Sequence, residues 1–230
     1  MVTRLVGDVW WFDLQGVNAY LVSDDGYTLV DAGMPWHRRR LARGIETVAG
    51  SLSAVDRVLV THFDFDHVGG LTLEGLDATV HVGVDDEPYL SGRRRPDWRT
   101  RKGALQQLTG LVRRVPDLPV ETLEDGDTVG GFEAYHTPGH TPGHTSFVHE
   151  GLSAAFPGDL VRERDGAFEL PPRFLNADND RAGASVAEFA RRAPGYEVAC
   201  PGHGSPVVTG GSDKLAACAA RLGDRSGRDR

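Results

Sequence analysis

The chain of 230 residues contains only two cysteines and two lysines, and it has no long apolar run. Cys200 and Cys218 are not closely spaced, so the chain has no cysteine pair of the kind that binds zinc. No apolar run approaches the roughly 20 residues that a membrane span needs, and the N-terminus has no signal-peptide core. We therefore expect a cytoplasmic protein without a membrane partner.

Basic charge is also scarce, because the formal net charge is -8 at pH 7. Nucleic acids and anionic membranes are bound by basic surfaces, so neither is expected as a partner. The chain also lacks a serine nucleophile motif, a phosphate-binding glycine loop and a cysteine–histidine dyad. These absences give no support to another catalytic class, and the oligomeric state stays open.

The composition, 40% hydrophobic and 25% charged, is ordinary for a globular protein. Strand and helix patterns alternate without a linker, so residues 1–230 are predicted to form a single α/β domain. Turn residues at positions 24–26 predict a hairpin, and apolar periodicity predicts helices. The predicted elements are strands 17–23, 27–30, 58–60 and 78–82 and helices 36–48 and 102–112, the last with Leu105, Leu108 and Leu111 as its apolar residues.

A dense cluster of potential metal ligands follows the apolar strand 58–60. Within six residues it contains two imidazoles and two carboxylates, namely His62, Asp64, Asp66 and His67. Imidazole and carboxylate ligands together suit zinc, manganese or iron. The sequence therefore predicts a metal site on a loop at a sheet edge.

Further ligand-type residues follow other strand-like runs, in most cases after Pro and Gly, which redirect the backbone at a strand end. His136, His140 and His144 recur every four residues, but the Pro-Gly pairs between them exclude a helix, so they cannot be assumed to bind together. Asp159 and His203 each follow a Pro-Gly pair. Asp31 ends a fifth segment and is followed by Ala-Gly.

These motifs, in this order, resemble those of the metallo-β-lactamase superfamily over about residues 17–207. The resemblance implies a four-layer αβ/βα sandwich and a site for two divalent metal ions. It selects His140 from its three histidines, and we expect His144 either behind the ligands or in the pocket wall. In the implied ligand set, the first site has His62, Asp64 and His140, the second has Asp66, His67 and His203, and Asp159 bridges them.

Asp64 departs from the family pattern, in which a second histidine is usual. Flavodiiron proteins, a branch of the same superfamily, have Glu at this place and bind iron. We expect zinc as the metal. Because a short anionic oxygen ligand shifts preference toward harder metals, iron and manganese are the alternatives. A third carboxylate also makes the metals weaker Lewis acids.

The resemblance implies a metal-dependent hydrolase of a small ester, lactone or thioester, similar to the glyoxalase II and lactonase branch. A hydroxide bound by two metals would be the nucleophile, with Asp66 and Asp159 as the catalytic carboxylates. The alternatives are an iron-dependent redox enzyme similar to persulfide dioxygenases or flavodiiron proteins, a nuclease, and a non-catalytic binding module.

Two irregular regions, residues 85–119 and 162–182, are expected to shape the substrate pocket. The first contains Arg93, Arg94 and Arg95, which form either a solvated face or a lid for an anionic substrate. The second contains Phe174 and Leu175, which either line an apolar pocket or serve in packing.

Overall fold

Two mixed β-sheets pack face to face, and helices cover the outer face of each. The computed structural model describes residues 1–110 and 117–228, and for residues 109, 110 and 225–228 it describes the backbone alone. The strands in the described part are β1 Val2–Val6, β2 Val9–Asp13, β3 Asn18–Ser23, β4 Tyr27–Val30, β5 Val55–Val60, β6 Thr79–Gly83, β7 Val120–Leu123, β8 Thr128–Val129, β9 Phe132–His136, β10 Thr145–His149, β11 Ala154–Gly158, β12 Arg162–Arg164, β13 Ala167–Glu169 and β14 Val198–Pro201. The helices are α1 Arg38–Ala49, α2 Phe65–Val68, α3 Glu87–Leu90, α4 Arg101–Gly110, α5 Asn179–Arg192 and α6 Gly211–Arg228.

The first sheet has the order β1-β2-β3-β4-β5-β6-β7, antiparallel from β1 to β4 and parallel from β4 to β7. The second has the order β14-β11-β10-β9-β8, with its parallel pair at β11 and β14. Strands β12 and β13 form a separate hairpin.

Three buried apolar clusters define the layers. Tyr20 and Leu59 from the first sheet pack with Phe147 and Phe156 from the second, which fills the space between the sheets. The helix α1 covers the outer face of the first sheet, and α5 and α6 cover that of the second. The order helix, sheet, sheet, helix confirms the predicted four-layer αβ/βα sandwich.

The predicted hairpin matches β3 and β4, and the strands predicted at 58–60 and 78–82 match β5 and β6. The helix predicted at 36–48 is a 3₁₀ turn, Pro35–His37, followed by α1. The helix predicted at 102–112 is α4, and Leu111 and residue 112 lie outside the described residues. Leu105 and Leu108 are exposed, because the side of α4 that faces the protein is polar.

Among the described residues, no helix has the length and apolar character to cross a membrane. The segments that follow β4, β5, β9, β11 and β14 meet at one edge of the two sheets, where their polar side chains contact one another. That edge contains the site.

Candidate metal centre

The structure brings together all seven ligand-type residues named from the sequence. Their side-chain atoms form three overlapping groups whose members lie within 4.8 Å of one another. The groups are His62, His67 and Asp159; His62, Asp64 and His140; and Asp66, His67 and His203. Asp159 lies between the two predicted sites, with its oxygens 3.5 Å from His67, 3.4 Å from His140 and 3.3 Å from His203.

In the second set, the ligand atoms are spaced as they would be around one ion. His203 Nε2 lies 3.4 Å from Asp66 Oδ2 and 3.3 Å from Asp159 Oδ2. His67 Nε2 lies 3.5 Å from Asp159 Oδ1 and 3.9 Å from Asp66 Oδ2. Ligands about 2.0–2.2 Å from an ion at the corners of a tetrahedron lie about 3.3–3.6 Å apart, so these spacings fit a metal.

Hydrogen bonds to Nδ1 orient the histidine rings of the site. The first two rings are His62 and His67, in the loop that follows β5. Asp31 Oδ2 accepts from His67 Nδ1 at 2.7 Å, which leaves His67 Nε2 as the atom that can bind an ion. The Thr61 hydroxyl donates to Asp31, so its oxygen accepts from His62 Nδ1 at 3.0 Å. Both rings therefore direct Nε2 into the site.

The two histidines from the other sheet are oriented in the same way. His203 Nδ1 donates to the Gly16 carbonyl at 2.5 Å. His140 Nδ1 faces Asn176 Oδ1 at 2.9 Å, and the amide nitrogen of Asn176 donates to Asn179 Oδ1. Because this orientation makes Asn176 Oδ1 the acceptor, His140 Nδ1 carries the proton and its Nε2 has the lone pair.

Three buried atoms of the site have no hydrogen-bond partner among the described residues. They are His62 Nε2, His67 Nε2 and Asp159 Oδ1, the same three residues that form the central ligand group. A buried polar atom without a partner costs about 1–3 kcal/mol, so their convergence is unfavourable unless a ligand satisfies them. The donor set and these orphaned atoms fit a divalent metal ion.

The first set contains a residue that sequence reasoning missed. Lys102 Nζ from α4 donates to Asp64 Oδ2 at 2.7 Å and to His140 Nε2 at 2.9 Å. One turn further along α4, Gln106 Nε2 donates to Asp64 Oδ1 at 2.5 Å. His62 Nε2 is 3.4 Å from Asp64 Oδ2. Both oxygens of Asp64 are therefore bonded to one helix.

The histidines of the site differ in their preference for a proton. Burial lowers the pKa of His67, but Asp31, Asp159 and Asp66 outweigh it and raise the pKa to about 9. Burial is likewise outweighed at His203, where Asp159 and Asp66 raise the pKa to about 11. At His62 burial prevails, with His67 adding to it, and lowers the pKa to about 4. The second set therefore favours a cation, which a proton or a metal ion can supply.

The carboxylates of the site are held ionised. Burial would raise the pKa of Asp64, but Lys102 and the nearby histidines keep it well below its usual value. Burial would also raise the pKa of Asp159, and His203 and His67 keep it well below its usual value. Each carboxylate is therefore available as a ligand or as an ion-pair partner.

Two buried carboxylates hold the ligand loops in place. Asp31 has a left-handed backbone with φ 58°, and it also accepts from Thr61 N at 2.9 Å. Asp86 accepts from Phe63 N at 3.1 Å, Gly143 N at 2.7 Å and the Thr141 hydroxyl at 2.6 Å. Asp86 thus joins the loop that carries His62 to the loop that carries His140. Its position was not predicted, because nothing near it in the sequence resembles a ligand motif.

The loop that carries His203 is held by the N-terminal hairpin. Asn18 Nδ2 donates to the carbonyls of Pro201 and Gly204, and the Tyr20 hydroxyl donates to Pro201. A Cβ on Gly202 would clash with Asp159 Oδ1 and would lie 2.7 Å from His67 Cε1. Only glycine therefore fits between these ligands.

The remaining histidines lie outside the ligand sets. His144 Nε2 accepts from Asp159 N at 3.1 Å, so His144 supports the bridging carboxylate from behind. His136 bonds the Pro142 carbonyl, within its own loop. His81 and His149 are buried strand residues, and His37 is buried at the start of α1.

A cavity of about 310 Å³ opens beside Asp159 and His203. Pro171, Pro172 and Leu175 form its apolar wall, as the sequence indicated for the region 162–182. Phe174 is exposed and does not line this cavity.

The arginine segment makes local contacts with α3. Arg93 pairs with Glu87, and the Arg94 guanidinium lies 5.2 Å from the centre of the Tyr89 ring. This placement agrees better with a solvated surface than with a lid over an anionic substrate.

Comparison with known proteins agrees with this geometry. The family model described as metallo-beta-lactamase superfamily matches residues 13–203. The chain belongs to this superfamily. The matched range contains every residue of the metal centre named above.

Individual superfamily members resemble the chain over most of its length. It is 27% identical over 223 residues to "Probable metallo-hydrolase YflN" of Bacillus subtilis (strain 168). The alignment covers 85% of this chain and 83% of YflN. It is 33% identical over 167 residues to the atrochrysone carboxyl ACP thioesterase of Aspergillus chevalieri. That alignment covers 70% of this chain and 45% of the thioesterase. The crystal structure of TTHA1623 in a di-iron-bound form superposes with a TM-score of 0.66 and 29% identity, covering 88% of this chain and 93% of TTHA1623.

Proposed function

We propose that this metal-dependent hydrolase cleaves a small ester, lactone or thioester, with zinc as its metal. The observation that carries the proposal is that four histidines, each with its proton held on Nδ1, direct Nε2 toward the carboxylates of one site. A divalent ion held there supplies a Lewis acid and lowers the pKa of a bound water, which provides hydroxide near neutral pH.

The protein's own residues orient the reaction. Asp66 lies at the rim with 26% of its side chain exposed, so its carboxylate is placed to accept a hydrogen bond from the attacking water. Asp159 lies deeper, with its Oδ1 3.5 Å from His67 Nε2 and its Oδ2 3.3 Å from His203 Nε2, so it is placed to share an ion with both histidines. The cavity beside these residues has the volume of a small-ligand site and an apolar wall suited to an acyl group.

The names of two relatives support the same reaction class. One is called a metallo-hydrolase and the other an ACP thioesterase, and both reactions are hydrolytic. A hydroxide shared by two ions, as predicted from the sequence, requires an ion in each ligand set. In the first set, Lys102 already bonds two of the three ligands.

The test is hydrolysis of a panel of lactones, thioesters and aryl esters by protein of measured metal content. Asp66→Asn should leave the protein folded and reduce kcat/KM by about 100-fold or more, because it removes ligand charge and the acceptor that orients water. The matched control is Asp25→Asn, at an exposed turn carboxylate that pairs with Arg57, and it should keep wild-type activity. Metal-loaded wild-type protein that hydrolyses no member of the panel would refute the proposal.

An iron-dependent redox reaction is the second candidate. It is favoured by the di-iron-bound form of TTHA1623 and by Asp64, an oxygen ligand that suits iron. Iron in protein purified without added metal, together with oxygen consumption on a persulfide or thiol, would select this reaction over hydrolysis.

A further inference from the structure

Lys102 is a buried lysine whose ammonium lies among metal ligands. Its relative exposure is 4%, and its Nζ bonds both Asp64 Oδ2 and His140 Nε2. Lysine is seldom buried to this extent unless it is paired. Here the pairing is provided by two of the three members of the first ligand set.

The lone pairs of these two ligands decide what else they can bind. His140 donates from Nδ1 to Asn176, so it has one lone pair, on Nε2, and Lys102 occupies it. A single lone pair cannot accept a hydrogen bond and coordinate a metal at the same time. The ammonium bonds both of two acceptor atoms, His140 Nε2 and Asp64 Oδ2, that lie 3.1 Å apart.

The carboxylate of Asp64 is also committed to α4. Its Oδ2 accepts from Lys102 and its Oδ1 accepts from Gln106, so two side chains one turn apart hold it on both sides. Moving Lys102 out of the set would leave Asp64 short of its strongest partner. It would also require α4 to shift or the lysine to find another buried acceptor.

We propose that Lys102 takes the place of a metal ion in the first ligand set, so that the chain binds one divalent ion, at the second set. That ion has Asp66, His67, Asp159 and His203 around it, none of which is hydrogen-bonded to Lys102 in the structure. The inference rests on the metal binding of the proposed function but not on its substrate. It assigns Lys102 a positioning role, as the fixed cation that orders Asp64 and His140.

The first experiment measures metal stoichiometry. Wild-type protein and Lys102→Met are saturated with Zn²⁺, freed of excess ion by gel filtration and measured by elemental analysis. We expect one ion per chain in the wild type and two in the variant, because methionine fills the space without bonding His140. Lys214→Met is the matched control, since Lys214 is the other lysine and bonds the Gly166 carbonyl at the surface; it should hold one ion.

The second experiment needs no variant. Amine acetylation followed by peptide mass spectrometry compares Lys102 with Lys214 in the same molecule, with and without saturating Zn²⁺. Lys102 should stay protected in both states, while Lys214 reacts in both. A Lys102 that becomes reactive when metal is added has been displaced by the ion, and this result would overturn the inference even if the Lys102→Met protein failed to fold.

The outcomes separate this inference from the proposed function. Two tightly bound ions in the wild type, or one ion in Lys102→Met, would overturn the role of Lys102 and leave hydrolysis untouched. One ion in a wild type that hydrolyses no ester would refute the substrate class and keep the role of Lys102. A wild type that binds no metal would overturn both.

Discussion

Asp31→Asn tests whether metal affinity depends on the proton position of His67. The carboxylate accepts three buried hydrogen bonds, from Thr61 N, the Thr61 hydroxyl and His67 Nδ1, at 2.9, 2.8 and 2.7 Å. Asparagine tolerates the left-handed backbone of this position, so the substitution should not strain the chain. It does, however, replace one acceptor oxygen by a donor nitrogen.

Either orientation of the new amide loses a bond. With its nitrogen at the Oδ1 position, the amide faces the Thr61 N–H as a second donor. With its nitrogen at the Oδ2 position, it faces His67 Nδ1 and favours the tautomer with the proton on Nε2, which removes a ligand. An unsatisfied buried donor costs about 1–3 kcal/mol, and loss of such a partner of a metal-binding histidine typically costs about 10–100-fold in metal affinity.

The assay is competition for Zn²⁺ with a chromogenic chelator at fixed pH, with circular dichroism to confirm the fold. We expect the Kd of Asp31→Asn to rise by about 10–100-fold, whereas Asp25→Asn should stay within about twofold of the wild type. A folded Asp31→Asn protein with wild-type affinity would show that the hydrogen bond to His67 does not set the ligand geometry.

Two further predictions concern the same site. Asp86→Ala leaves three buried donors without their acceptor. Urea denaturation should therefore show that the free energy of unfolding falls by about 3–5 kcal/mol. The control Asp25→Ala should lower it by less than about 0.5 kcal/mol. The pKa of His67 is raised to about 9 and that of His203 to about 11, so both histidines are protonated in the metal-free protein at pH 7. An ion that binds them must displace one proton from each, so calorimetry in buffers of different ionisation enthalpy should show release of about two protons per ion at pH 7. Metal affinity should also weaken as the pH falls, and release of no protons would contradict the assigned protonation of His67 and His203.

The sequence predicted the ligand residues that occur in local motifs. The layers, the principal strands and the convergence of His62, His67, His140 and His203 follow from apolar runs that end in Pro, Gly and ligand-type residues. Lys102 could not be found in this way, because it lies 38 residues from Asp64 in a helix without a motif, and a lysine is an ordinary helix residue. Its role depends on how α4 packs over the site, which no local pattern in the sequence specifies.

Asn176 and Asp86, which hold the ligand residues in place, could not be predicted either, because no local motif marks them. Asn176 and Asp86 act through bonds to residues 36 and 57 positions away, and neither occurs in a ligand pattern. One signal was available, because a chain with only two lysines has one of them at the start of a predicted helix inside a region expected to shape the pocket. The sequence marks Asp64 as unusual, but no pattern in it indicates that the side chain of Lys102 is its partner.

The contacts of the His203 loop bear on when the centre can form during protein synthesis. Asn18 and Tyr20 bond Pro201 across 183 and 181 residues of chain, and Gly16 accepts from His203 across 187. A ribosome-bound chain therefore has its first histidines exposed long before the last ligand leaves the exit tunnel. Contacts of such long sequence separation form slowly. Capture of the metal should consequently follow synthesis of the chain as far as His203, and a product truncated before β14 should lack a complete metal centre.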